Sequence, residues 1–215
     1  MKTSSLERLI RTHLQPALKG YQTHRTLLYK TPPSPLVRGF SFAGSRQRKG
    51  AFTVWAFVQP CYITSDTLWF NMGKRLGTIS GGAEKWWEIQ APGQAAEVMQ
   101  DVLSFIQNEG LPYIRERDSL QDIVRVYEPL ARDPTVILME AVSGALVLLG
   151  DDRQATRLID DLIASCRKHL GESPFLAATL GRAGELKDTL LRNSGEARAL
   201  LQDRISMTLT NLGLS

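Results

Sequence analysis

Histidine and cysteine are scarce in this chain: three His and two Cys in 215 residues. Cys61 and Cys166 stand far apart, which matches neither the dense cysteine framework of a small oxidised domain nor a zinc-ligand spacing. The one suggestive interval is CRKH, which sets Cys166 and His169 at i, i+3 on an expected helix. That is half of a zinc site, which typically needs three or four ligands. His13 and His24 would have to come from the far end of the chain. Both cysteines suit a reduced interior, and no metal and no cofactor are expected.

Long apolar runs are missing as well. The longest, VILMEAVSGALVLL (136–149), is interrupted by Glu140 and falls short of the roughly 20 residues that cross a bilayer. The opening MKTSSLERLIRTHL has neither the apolar run nor the small-residue cleavage site of a secretory signal. It reads as an amphipathic helix, so a cytoplasmic chain without a membrane span is expected. Phosphate-cradling patterns are absent: NMGKRLG and SGGAE lack the glycine spacing that lets backbone N–H groups approach a phosphate. No GxSxG nucleophile turn occurs, and the SGG at 80–82 reads as a flexible turn. Of the acid pairs, Asp151 and Asp152 suit a helix N-cap, and Asp160 and Asp161 suit a solvated helix face. Glu140 shares the less apolar stripe of its helix with Ser143, Gly144 and Val147, which suits a solvated or interhelical hydrogen-bonding role. No catalytic motif is found.

What is present begins with charge. The net charge is +4, but residues 1–92 carry 13 Lys and Arg against 4 Asp and Glu, whereas residues 93–215 carry 13 against 18. The basic and acidic parts either attract each other within one molecule or leave the basic part to meet an acidic partner.

Periodicity divides the chain in the same region. SSLERLIRTHLQPALKGY repeats Leu6, Leu9, Ile10, Leu14 and Leu18 at helical spacing, with Ser4 or Ser5 as the cap, a break near Pro16 and a stop at Gly20. After the loop KTPPSP the period becomes two. LVRGFSFAG and AFTVWAFVQ are expected strands joined by the basic hairpin loop SRQRKG, with TLWFNMG and KWWEIQ as the third and fourth strands. Within the second strand Phe52, Val54, Ala56 and Val58 point one way, and Thr53, Trp55, Phe57 and Gln59 the other. Val54, Val58, Leu68, Phe70, Val102 and Ile106 are the expected core between sheet and helix.

Helices are expected in GQAAEVMQDVLSFIQNEG, stopped by Gly110, and in SLQDIVRVYEPLA, TVILMEAVSGALVLLG, DRQATRLIDDLIASCRKHL and SGEARALLQDRISMTLTNL. The apolar third of these is the expected centre of a bundle. Gly150 followed by an acidic cap reads as a helical hairpin, without the second copy that a solenoid requires. The expected fold class is α+β: a four-stranded antiparallel sheet covered by helices (1–113), followed by an all-α helical region (114–215).

The order of LKGYQTHRTLLYK, AFVQP, WFNMG and GLPYI over residues 6–114 resembles a family of small bacterial α+β domains of unknown function. The positions that carry the likeness are Gln59, Asn71, Gly73, Gly110 and Pro112. The resemblance implies an α+β fold and no particular activity.

One constellation remains for binding. Arg46, Arg48 and Lys49 sit on the hairpin tip, near a sheet face bearing Trp55, Phe57 and Trp69. Trp69 is expected to be shielded at the junction of the two regions while the tip stays free. This points to a non-catalytic bacterial cytoplasmic interaction module, of the immunity or adaptor kind, whose protein partner has an acidic surface. The alternative is a nucleic-acid-binding accessory protein, which neutralises phosphates with the basic hairpin and stacks bases on the aromatic face.

Overall fold

Alternation in LVRGFSFAG and AFTVWAFVQP produces two long antiparallel neighbours, β3 (Leu36–Gly44) and β4 (Ala51–Pro60), and the rest of the sheet is built outward from them. The computed structural model describes residues 3–33, 35–78, 84–130, 135–171 and 173–214. The SGG turn expected at 80–82 lies outside them. On one side of β3, a hairpin of β1 (Tyr21–His24) and β2 (Leu27–Lys30) adds two strands, turning through Arg25 at φ 53°. On the other side β4 pairs with β5 (Gly73–Arg75) along its middle and with β6 (Trp87–Glu88) at its start. The fold is therefore α+β, with six strands among the described residues rather than the expected four.

The added hairpin went unanticipated because Gln22 and His24 interrupt its apolar alternation. The strand expected in TLWFNMG begins only at Gly73. Leu68 and Phe70, expected in the sheet core, are half-buried and belong to no strand.

The chain divides into two compact units, one comprising Met1–Pro33, Val37–Gln59 and Met72–Glu116, the other Ser34–Leu36, Pro60–Asn71 and Arg117–Ser215. In the sheet unit, α1 (Thr3–Leu9), a π turn (Ile10–Leu14) and a 3-10 turn (Gln15–Ala17) lead into β1. Ser4 and Ser5, expected as the cap, lie inside α1. After β6 come α2 (Ala95–Phe105), a second π turn (Ile106–Gly110) and α3 (Leu111–Arg115). Phe52, Val54 and Ala56 of β4 pack with Phe40, Phe42 and Leu28 beneath Ile10, Leu14, Met99, Val102 and Ile106, all buried in one core. Val58 is buried outside that cluster.

Both π turns precede a proline by one residue: Gln15 N–H reaches the Ile10 carbonyl before Pro16, and Leu111 N–H reaches the Ile106 carbonyl before Pro112. Proline cannot donate to the carbonyl four residues back and its ring crowds that carbonyl, so a widened turn accommodates it within a continuing helix. Gly110 consequently does not stop the helix; its φ is −74°. Its role is space, because a Cβ there would lie 2.5 Å from Cε1 of the Phe40 ring.

The helical unit holds α4 (Leu120–Tyr127), α5 (Val136–Leu149), α6 (Asp152–Lys168), α7 (Pro174–Arg192) and α8 (Ser194–Leu212). α5 is buried at every residue from Ile137 to Val147 and touches each of the other four helices. Gly150, at φ 85°, ends α5, and the Asp151 carboxylate accepts from Gln154 N–H to start α6. The sequence reading missed α7, although Ser173 caps it and Pro174 sits in its first turn. Tyr62 is buried against Gly144 and donates its hydroxyl to the Ala141 carbonyl at 2.7 Å. Burial pushes the Tyr62 phenol well above its ordinary pKa, so it remains a donor.

At the start of α4 a capping box closes reciprocally: Asp122 N–H donates to Ser119 Oγ at 3.1 Å and Ser119 N–H donates to Asp122 Oδ2 at 3.2 Å. Arg125 also donates to Asp122 Oδ1 at 2.8 Å. Hydrogen bonds from Arg125 and then Ser119 hold the Asp122 carboxyl below the usual aspartate range. A lowered folded pKa contributes stability that is complete above the unfolded value, about 3.9, and lost as pH falls through the folded value. Ser119→Ala is expected to cost about 1 kcal/mol at neutral pH. Asp122→Asn is expected to lose less stability than wild type on acidification, measured by urea unfolding along an acid series. Equal acid losses in the two proteins would detach Asp122 from that limb.

Candidate basic-aromatic interaction surface

Two features make the β3–β4 hairpin tip a defined platform. Ser45 Oγ accepts from the N–H groups of Gln47 and Arg48 at 3.2 and 2.9 Å, and Ser45 N–H donates to the Ala51 carbonyl at 2.8 Å. Gly50 then reverses the chain at φ 81°, where a Cβ would collide with the Ile89 carbonyl, and Ile89 N–H donates back to the Gly50 carbonyl at 3.1 Å. The segment around β6 therefore braces the tip from below. Arg46, Arg48 and Lys49 are all exposed on it.

The pairing of β6 with the start of β4 sets Glu88 opposite Ala51 and Trp87 opposite Phe52. Trp87 joins the core, with its ring centroid 6.2 Å from that of Phe52. Successive strand side chains alternate faces, so Glu88 and Trp86 belong to the opposite surface. There the Arg48 guanidinium lies 5.7 Å from the Trp86 ring centroid and that of Arg75 lies 5.0 Å from it. Arg48 also pairs with Glu88 at 3.4 Å and Arg75 with Glu84 at 2.5 Å. Arg46 and Lys49 form no ion pair among the described residues. The surface thus carries four cations against two carboxylates, around one half-buried indole.

Of the six residues singled out from the sequence, Arg46, Arg48 and Lys49 meet on the tip. Trp55 is half-buried and connects to them indirectly, since it stands opposite Arg75 in the β4–β5 register. Phe57 is completely buried and presents no surface. Trp69 belongs to the helical unit, where it is half-buried and lines a cleft. Residues 67–70 form no strand, so Trp69 never enters the sheet face where alternation would have put it. The aromatic beside the basic tip is Trp86, which sequence reasoning passed over. Its neighbourhood depends on the Ala51↔Glu88 pairing, which no local pattern encodes.

Among the described residues no group of three or more His, Cys, Asp or Glu is arranged to hold a metal ion. Cys61 and Cys166 are both buried thiols, and burial raises the pKa of Cys166. No helix among the described residues is long and apolar enough to cross a membrane.

These observations define an α+β chain whose sheet unit presents a braced, basic hairpin beside an indole. Comparison with protein-family models, with curated proteins and with solved structures finds no match.

Proposed function

We propose that this chain is a non-catalytic interaction module, of the immunity or adaptor kind, which captures an acidic protein surface with the hairpin tip and the Trp86 platform. One observation carries the reading: Arg46 and Lys49 are exposed on a turn held by three hydrogen bonds, with no ion pair of their own among the described residues. A preformed cationic turn gives up little conformational freedom on binding and steers an anionic partner from a distance. The stacked guanidinium groups of Arg48 and Arg75 keep Trp86 beside those charges, where an aromatic anchor contributes affinity that charge alone does not.

The test uses two defined probes, a fluorescent poly-glutamate peptide and a single-stranded oligonucleotide, measured by anisotropy. The peptide is expected to bind, and to weaken steeply between low and physiological salt. The triple variant Arg46→Ala, Arg48→Ala, Lys49→Ala should bind it at least about tenfold more weakly with an unchanged melting temperature. Affinity and salt slope equal to wild type would reduce the tip to a solvated turn. Tighter, Trp86-dependent binding of the oligonucleotide would move the assignment to nucleic acid, with Trp86 as a stacking base platform.

A further inference from the structure

The helical unit contains a second candidate site, unrelated to the hairpin. Segment 63–71, the first residues of α5 and the beginning of α7 enclose a cleft of about 660 Å³, within the range of small-molecule pockets, roughly 300–1,000 Å³. Its apolar lining comes from Ile63, Trp69, Val136, Ile137, Phe175 and Leu176. Phe175, on the rim of α7, is 41% exposed and belongs to that lining. Among the described residues, Arg182 is the only basic one in the lining.

The hydrogen bonds of Arg182 can be counted. Nε donates to Glu140 Oε1 at 2.6 Å, and Nη2 donates to Glu140 Oε2 at 2.9 Å and to Thr179 Oγ1 at 3.0 Å. A guanidinium has five N–H donors in a fixed fork, so these three leave both protons of Nη1 without a partner among the described residues. Glu140 is buried behind the guanidinium and is absent from the cleft lining, so the cleft faces the cation and not its counter-ion. The carboxylate fixes the fork in position, which is what a specific acceptor requires. Asp66, the one acid in the lining among the described residues, is exposed.

We infer that this cleft binds a small, flat apolar molecule bearing one carboxylate, with the carboxylate on Arg182 Nη1 and the body against Trp69 and Phe175. The pairing is complementary in both respects: the remaining donors of Arg182, a lining residue, take the acid, and the apolar lining takes the ring system. A second carboxylate on the ligand would meet Asp66 and be disfavoured.

The experiment titrates the full chain with 1-naphthaleneacetate and with its uncharged isostere 1-naphthaleneacetamide, following indole N–H resonances. The Trp69 resonance is assigned by its loss in Trp69→Phe. The acid is expected to bind with one-to-one stoichiometry, at least about tenfold tighter than the amide, and to shift the Trp69 resonance. Leu176→Trp, which fills the cleft, is expected to abolish binding. Absence of saturable binding at millimolar acid, equal affinity for acid and amide, or an unmoved Trp69 resonance would each overturn the assignment. So would undiminished binding by a folded Leu176→Trp. The acid–amide comparison needs only wild-type protein, so it decides the matter even if a variant does not fold.

Discussion

Phe40→Ala is expected to destabilise the sheet unit by about 3–5 kcal/mol. Phe40 is completely buried on β3, stacks on Tyr21 at 5.8 Å between ring centroids, and lies against the backbone of Gly110. Removing the ring leaves a cavity that β-sheet and helix cannot both move to close. The same contact makes a coupled prediction. Gly110→Ala should destabilise the wild type, because its Cβ would meet the ring at 2.5 Å, yet cost less in the Phe40→Ala background, where that space is vacant. Urea unfolding followed by tryptophan fluorescence measures all four proteins. Additive effects would show that ring and glycine do not share one space.

The second large effect lies in the helical unit. Glu140 on α5 is 8% exposed and takes a two-pronged ion pair from Arg182 on α7. The hydrogen bonds to Glu140 push the guanidinium pKa further up. Glu140→Ala strands the half-buried Arg182 cation and is expected to cost up to about 3–5 kcal/mol, the range for breaking a buried ion pair. The double change Glu140→Leu, Arg182→Met removes both desolvation penalties and is expected to restore most of that loss. Thermal unfolding of the two variants against wild type checks this. A double variant as unstable as Glu140→Ala would mean that packing around α7, and not the unpaired charge, sets the cost. Because Arg182 also lines the cleft, the double variant is further expected to lose naphthaleneacetate.

Much of the architecture was legible where local pattern and long-range pairing agree. β3 and β4 alternate cleanly around a polar, glycine-terminated loop, and α5 is apolar enough to be central in any arrangement. Where the two disagree, reading fails. TLWFNMG alternates like a strand, but strand pairing with β4 starts only at Gly73, opposite Phe57. β1 (YQTH) has too few apolar residues to announce itself and β2 is only four residues long; β1 is held by its pairing to β2, and β2 by its pairing to β3. α7 carries Gly181 and Gly184 and a run of threonine and alanine that dilutes its apolar stripe. The candidate surface was half legible. Its cations are adjacent in sequence, whereas Trp86 and Arg75 reach them only through strand register. Glu140 was read as either solvated or bonded between helices, and the choice needed the position of α7.

The widened turns in the two helical segments of the sheet unit also settle a question of angular phase. Leu6, Ile10 and Leu14 are all buried, as are Val102, Ile106, Gly110 and Ile114, and each series advances by four residues. In a regular α-helix every four-residue step overshoots a full turn by about 40°, so three steps would carry the last side chain about 120° around the cylinder. A series of that kind cannot stay on a core for long unless one turn absorbs the excess, and the π turns at 10–14 and 106–110 lie within the two series. They act as phase correctors as well as proline seats. A deletion of one residue inside either turn would close it to a regular α turn, change the angular offset of everything beyond it, and set the following proline against the carbonyl four residues back. The chain therefore tolerates substitution at the exposed residues of these turns far better than it tolerates any change in their length.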